Sequence, residues 1–195
     1  MRIKQGTDRT RSTAARRDQI VAATITVLAR RGYAATSYDA ICEEAGLSSK
    51  RLISYHFSTK DELLAEVLRR VTADAAERMR PAIEAEPQPD GKLAAYIRSN
   101  IQFIADHPDH VRAVQQIVHA AVPTEEAEAA VARLAVLFEE GQRAGAFRKF
   151  DASLMGHTVR AAIDAAAGRL IAGADPTHCA AELTELFHRA TRIHQ

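Results

Sequence analysis

Apolar positions recur along the chain three and four residues apart, and no segment alternates in the strict two-residue manner of a half-buried strand. The periodicity predicts a succession of helices. The first runs from about Ser12 to Arg31, with Ile20, Ala23, Val27 and Leu28 on one face and Gly32 as its stop. A second opens at Thr36 or Ser37 as cap, turns Ala40, Ile41 and Ala45 inward, and ends at Gly46. A third spans Ser49 to about His56. In "STKDELL" a fourth begins, where Thr59 and Glu62 stand at capping-box spacing ahead of a stripe of Leu63, Leu64, Val67, Leu68 and Val71 that runs to around Pro81. Helices as short as the second and third are unstable alone, so the first sixty residues must pack as one unit.

The stretch "EAEPQPDGK" (84–92) reads as a loop. Beyond it the pattern predicts a helix over 92–106 carrying Leu93, Tyr96, Ile97, Ile101 and Ile104. Another starts at Pro108 and turns Val111, Val114, Ile117 and Val118 inward. A helix from Thr124 to Gly141 follows, then one over Asp151–Ala172 and a last one from Asp175 to about Ile193. The fold class is therefore all-α, with about nine helices. Hydrophobic residues make up 47% of the 195 residues and aromatics only 5%, so the core is aliphatic and Ala-rich, which suits helices.

Net charge is +1 for the whole chain, but it is unevenly placed. Residues 1–60 hold eleven Lys or Arg against five acids, a net of +6, and the remainder holds fifteen against twenty, a net of −5. Such asymmetry is expected where one end meets a polyanion. On a helical wheel, Leu52, Ile53, His56 and Phe57 share an arc of about 140°, and Arg51, Ser54 and Tyr55 share the opposite arc of about 100°. The first group anchors the helix. The second presents a guanidinium fork, a hydroxyl and a phenol outward, groups able to reach guanine edges or phosphates. A helix, a Gly-containing turn and a second helix with such a face make a helix-turn-helix, whose second helix enters the DNA major groove. Lys50 lies near the boundary of the wheel, within reach of a flanking phosphate. Lys60, like the Thr36–Ser37 pair, stands at a helix N-terminus where backbone N–H groups favour an anion.

The segment "GYAATSYDAICEEAGLSSKRLISYHFSTKDELL" (32–64) resembles the DNA-binding module of the tetracycline-repressor (TetR) family of bacterial transcriptional regulators. Gly32–Tyr33, Thr36–Ser37, Ile41, Ala45–Gly46, the "ISYHF" run, and Lys60 followed by an acid and Leu63–Leu64 carry the likeness. "GQRAGAFRKFD" (141–151) is similar to the family's turn before its penultimate helix. The resemblance implies a dimer with a three-helix DNA-binding domain over residues 1–60 and a helical regulatory, ligand-binding and dimerisation domain over 61–195. Its fourth helix would join the two, its last two helices would pair with a second copy, and ligand binding would move the reading heads. It also implies that Thr36, Ser37, Tyr55, His56 and Lys60 contact phosphates or the groove of a double-stranded operator. Between Gly46 and Phe57 the chain is one residue longer than the usual family pattern, and Ser54 stands where Tyr is frequent. A longer turn is the expectation, with Ser48, Ser49 and Lys50 as alternative contacts.

No nucleophile elbow, phosphate-cradling Gly loop, zinc-binding His-Glu-x-x-His or paired-Cys motif is present, so neither an enzyme nor a cofactor is expected. His107 and His110 lack a carboxylate or thiolate companion for a metal. Cys42 and Cys179 suit a reducing compartment, and no apolar run reaches the roughly 18–20 residues of a membrane span, which places the protein in the cytoplasm. Polar residues that interrupt apolar C-terminal stripes, His119, His157, Arg160 and Asp164, are candidates for binding a small apolar or amphipathic effector. Arg160 and Asp164, four apart, equally suit an ordinary ion pair. The competing function is a DNA-binding dimer that senses no small molecule.

Overall fold

A computed structural model describes the backbone of residues 4–120 and 125–193, and side chains over 13–120 and 128–193. Among the described residues there are nine helices and no strand. They are α1 (Lys4–Arg31), α2 (Tyr38–Ala45), α3 (Lys50–His56), α4 (Lys60–Glu84), α5 (Pro89–Asp106), α6 (Pro108–His119), α7 (Glu125–Arg143), α8 (Ala152–Ile171) and α9 (Pro176–Thr191). The expected start of the seventh helix at Thr124 lies outside the described residues.

Three boundaries depart from the periodicity. Helix α1 begins at Lys4, about two turns before Ser12. Residues 4–12 are polar and carry no apolar stripe, so nothing periodic marks them, yet a helix once nucleated extends at little cost. Helix α4 continues through Pro81 to Glu84. Proline there falls in the last turn, where its missing N–H removes one bond without ending the helix, and its carbonyl still accepts from the Ala85 N–H at 3.1 Å. The loop after it is shorter than 84–92, because Pro89 starts α5 as a first-turn proline.

The chain forms two compact units. The first takes in α1, α2, α3, α4 as far as Val71, and α6 from Asp109. Its interior is aliphatic with one aromatic, built on Ile20, Leu28, Ile41, Ile53, Phe57, Leu63 and Leu64, all fully buried. On α6, Ala113 and Ile117 are buried, whereas Val118 is 51% exposed.

The second unit contains α4 from Thr72, α5, α7, α8 and α9. Helix α5 lies against α7, α8 and α9, with Leu93, Ile97, Ile101 and Ile104 buried. The "GQRAGAFRKFD" turn is held by an aromatic cluster in which the Phe138 ring lies 5.7 Å from Phe147 and 5.3 Å from Phe150. From this turn Arg148 donates its backbone N–H to Thr191 O (2.9 Å) and its Nε to Ala190 O (2.8 Å), satisfying carbonyls at the end of α9. Phe187 is buried, while Leu186 and Ile193 are 56% and 52% exposed.

Candidate nucleic-acid interface

Helices α2 and α3 are too short to hold themselves, and local bonds define both ends of each. Ser37 caps α2, its Oγ accepting from the Ala40 N–H at 3.2 Å. Gly46 ends α2 in the left-handed conformation (φ +62°), and the Leu47 N–H returns to Cys42 O at 2.9 Å. This 6→1 closure requires a residue tolerant of positive φ, which is why glycine stands there. The turn then covers residues 46–49, ending at Ser49, whose Oγ accepts from the Arg51 N–H at 3.1 Å. Four residues is an ordinary length for the motif. The additional residue in "GLSSKR" is therefore accommodated without lengthening the turn beyond its usual range.

Helix α3 divides as the wheel requires. Ile53 and the following Phe57 are fully buried, Leu52 and His56 are half-buried, and Arg51, Ser54 and Tyr55 are exposed, Tyr55 by 78%. No intramolecular partner occupies the Arg51 guanidinium among the described residues. Ser54 Oγ leans back on Lys50 O at 3.4 Å, and the Tyr55 ring stands edge-on to His56 with centroids 5.1 Å apart. Lys50 pairs with Asp39 of α2 at 3.0 Å, a contact that joins the two helices across the turn. Both partners are well exposed, so water screens the pair and it is open to exchange for a phosphate.

The remaining expected contacts are placed differently. Thr36 is buried, 1% exposed, and its Oγ1 donates to Gly32 O at 2.8 Å, so its side chain has an internal partner. Ser37, Ser48 and Ser49 are exposed. His56 lies on the anchored side of α3. Burial, reinforced by the positive charges of Arg17 and Arg16, lowers its pKa below the ordinary imidazole value. Lys60, at the start of α4, holds its ammonium 4.5 Å from the centre of the Tyr33 ring. The Thr59 cap beside it is formed, its Oγ1 accepting from the Glu62 N–H at 3.0 Å, while Glu62 Oε2 accepts the N–H of Ser58, one residue before the cap, at 2.7 Å.

Local pattern does not show what fixes α2 and α3 from outside. Two side chains of α1 do so. Arg17 Nη1 donates to His56 O at 2.6 Å with its guanidinium 4.3 Å from the centre of the Phe57 ring, and Gln19 Nε2 donates to Ala45 O at 2.7 Å. Each satisfies a carbonyl that a helix end leaves open. The only hint in the sequence is that long polar side chains sit two residues apart beside the buried Ile20.

The candidate effector residues do not all come together. Arg160 and Asp164 form the ion pair, with Nε 3.1 Å from both carboxylate oxygens, and Arg160 Nη1 also donates to Asn100 Oδ1 at 3.3 Å. Asn100 is itself buried and bonded to Tyr96 O at 2.8 Å. Burial opposes the Arg160 charge, but the hydrogen bonds and charge of Asp164 outweigh it and raise the pKa. His157 is exposed, and His119 belongs to the first unit, its Nδ1 2.7 Å from Gln115 O.

The all-helical fold and a capped helix-turn-helix with an outward Arg-Ser-Tyr face have the architecture of a helix-turn-helix protein. Residues 20–67 match the profile of the bacterial regulatory proteins of the tetR family. The chain is 33% identical over 88 residues, 44% of each chain, to the transcriptional regulator BetI of Paraburkholderia xenovorans, and 30% identical over 117 residues, 60% of this chain and 53% of the other, to the transcriptional activator FasR of Mycolicibacterium smegmatis. It thus spans about half the length of these curated relatives. The fold is similar to that of FadR from Bacillus subtilis, solved in complex with stearoyl-CoA, with a TM-score of 0.79 at 20% identity over 90% of this chain and 98% of that one. The similarity to the tetR family thus lies in residues 20–67, and the matched relatives are transcriptional regulators. Among the described residues no helix is long and apolar enough to cross a membrane.

Proposed function

We propose that this chain is a cytoplasmic repressor that binds a palindromic double-stranded operator as a homodimer and releases it when a small apolar or amphipathic effector binds. The observation that carries the reading is α3: a helix anchored by Ile53 and Phe57 that leaves Arg51, Ser54 and Tyr55 exposed. Arg51 reads base edges; Ser37, Ser48, Ser49, Lys50, Ser54, Tyr55, His56 and Lys60 contact backbone or groove, and Thr36 supports them from inside. The charge division favours DNA binding by residues 1–60 and regulation by 61–195, although α4 as far as Val71 and α6 from Asp109 belong to the same compact unit as the first three helices.

Dimerisation through α8 and α9 is supported by Leu154 on α8, Leu186 on α9 and Ile193 just beyond it, all more than half exposed. A groove of about 320 Å³ between α8 and α9, with an alanine floor of Ala162, Ala165 and Ala166 and with Arg169, His178 and Glu182 also in its lining, offers a seat for partner side chains. An effector is favoured by the acyl-CoA complex of the B. subtilis protein. A regulator without a small-molecule effector is favoured by Arg160, which already has Asp164 and Asn100 as partners.

The test is capture of sheared genomic DNA by the purified protein, followed by sequencing, with and without metabolite extract. One shared palindrome is expected, eluted by salt. Arg51→Ala should weaken binding at particular base pairs, and Lys60→Ala should weaken it on all sequences and reduce the salt slope by about one. Retained fragments with no common sequence would overturn the reading.

A further inference from the structure

The DNA-binding unit has a member that lies outside the helix-turn-helix in sequence. Gln116 of α6 accepts the Tyr33 N–H on its Oε1 at 3.1 Å, across 83 residues. Tyr33 follows Gly32 in the turn that leaves α1, and a Cβ at Gly32 would come within 3.3 Å of that same Oε1. The carboxamide thus lies close against the turn backbone, at a residue whose φ of +76° favours glycine. Tyr33 in turn places its ring 4.5 Å from the Lys60 ammonium. A chain of two contacts thus leads from Gln116 to a lysine at the start of α4, and every member lies within one compact unit.

We infer that Gln116 is a positioning residue for the DNA interface: it fixes the Tyr33 backbone, and through the Tyr33 ring it fixes where Lys60 presents its charge. The inference rests on the proposed role of Lys60 as a phosphate contact. Lysine is a flexible point charge, so a ring that holds its ammonium reduces the ordering cost of meeting a phosphate. Tyr33 can hold the ammonium only if its own backbone is fixed. Within the turn, the hydrogen bond to Gln116 satisfies the Tyr33 N–H, and α6 supplies it.

The experiment compares Gln116→Met, which keeps length and removes the acceptor, with Gln116→Glu, which keeps an acceptor oxygen. Each is made in the wild-type and Lys60→Met backgrounds, with folding checked by circular dichroism. Affinity is measured on the captured operator across a salt series, and exchange of the Tyr33 amide is followed in the free protein. Gln116→Met should release the Tyr33 amide to exchange and weaken operator binding roughly two- to ten-fold. In the Lys60→Met background that loss should disappear, because the two residues act in one path. Gln116→Glu should keep the amide protected and bind closer to wild type than Gln116→Met does. Wild-type affinity in Gln116→Met, or the same loss with and without Lys60, overturns this inference alone. A wild-type chain that retains no common DNA sequence overturns the proposed function and this inference with it.

Discussion

Arg17 closes the C-terminal end of α3. Its Nη1 donates to the His56 carbonyl at 2.6 Å, and its guanidinium lies 4.3 Å from the centre of the Phe57 ring. Helix α3 spans only Lys50–His56, and this contact satisfies one of the carbonyls its C-terminal turn leaves open. The charge is also favourably placed at the negative end of the helix.

Replacing Arg17 should therefore cost more than an ordinary surface arginine. Arg17→Met keeps much of the packing on Phe57 but leaves the His56 carbonyl without its donor. A loss of about 1–2 kcal/mol of stability is expected for a half-exposed charged hydrogen bond. Arg17→Lys should recover part of it, since lysine keeps the charge but not the planar stack. Urea unfolding of the three proteins measures this, and equal midpoints would remove Arg17 from the account of α3.

The same neighbourhood sets a pH dependence. Burial first, then the charges of Arg17 and Arg16, lower the His56 pKa below 6.5. The unfolded chain therefore binds the proton more readily than the folded one, and stability rises with pH in that window. The contribution is fully present above pH 6.5, declines as the pH falls from 6.5 towards the lowered folded value, and levels off below it. Urea midpoints taken between about pH 5 and pH 8 should show this decline, and His56→Gln should flatten it. An unchanged slope in His56→Gln would assign it to another group.

How much of this was legible in the sequence depends on distance along the chain. Ile53, Phe57, Arg51, Ser54 and Tyr55 fall on their observed sides because the helical repeat alone sorts them. Thr59 shows itself as a cap because its bond to the Glu62 N–H closes within three residues. Arg17 acts over 39 residues and Gln116 over 83, where no periodicity connects donor to acceptor. Thr36 illustrates the converse: hydroxyls at helix starts suit outward contacts, but here the Gly32 carbonyl lies four residues back and takes the proton inward. The start of α1 is invisible for another reason, since a polar helical extension leaves no stripe.

Arg160 and Asp164 offer a test that separates pairing from ligand binding. The Arg160 side chain is 27% exposed and that of Asp164 59%. Removing the acid leaves a partly desolvated guanidinium with Asn100 and Tyr96 as its remaining partners. Removing the base leaves a carboxylate that water reaches. Asp164→Ala should therefore destabilise by about 1 kcal/mol, Arg160→Met by less, and the double variant should recover part of the loss. Thermal unfolding gives the three values. If Asp164→Ala is neutral, the pair is not structural, and Arg160 becomes the stronger of the effector candidates.

Dimerisation is best probed without cutting the chain. Removing everything after Gly173 would delete α9, and with it Cys179, Phe187 and Thr191, which are buried in the second unit where α9 packs on α5. Such a truncation loses core as well as any interface, so a monomer obtained that way would say little. Leu186 separates the two effects because it sits on the same helix with 56% of its surface exposed. Leu186→Asp leaves the buried face of α9 intact and places a charge on the face proposed to meet a second copy. The monomer should fold with an unchanged circular dichroism spectrum, while sedimentation should show dimer dissociation at concentrations where the wild type stays paired. Operator affinity should fall with it, since two half-sites one helical turn apart need two linked heads. A Leu186→Asp protein that still sediments as a stable dimer would move the interface away from this part of α9.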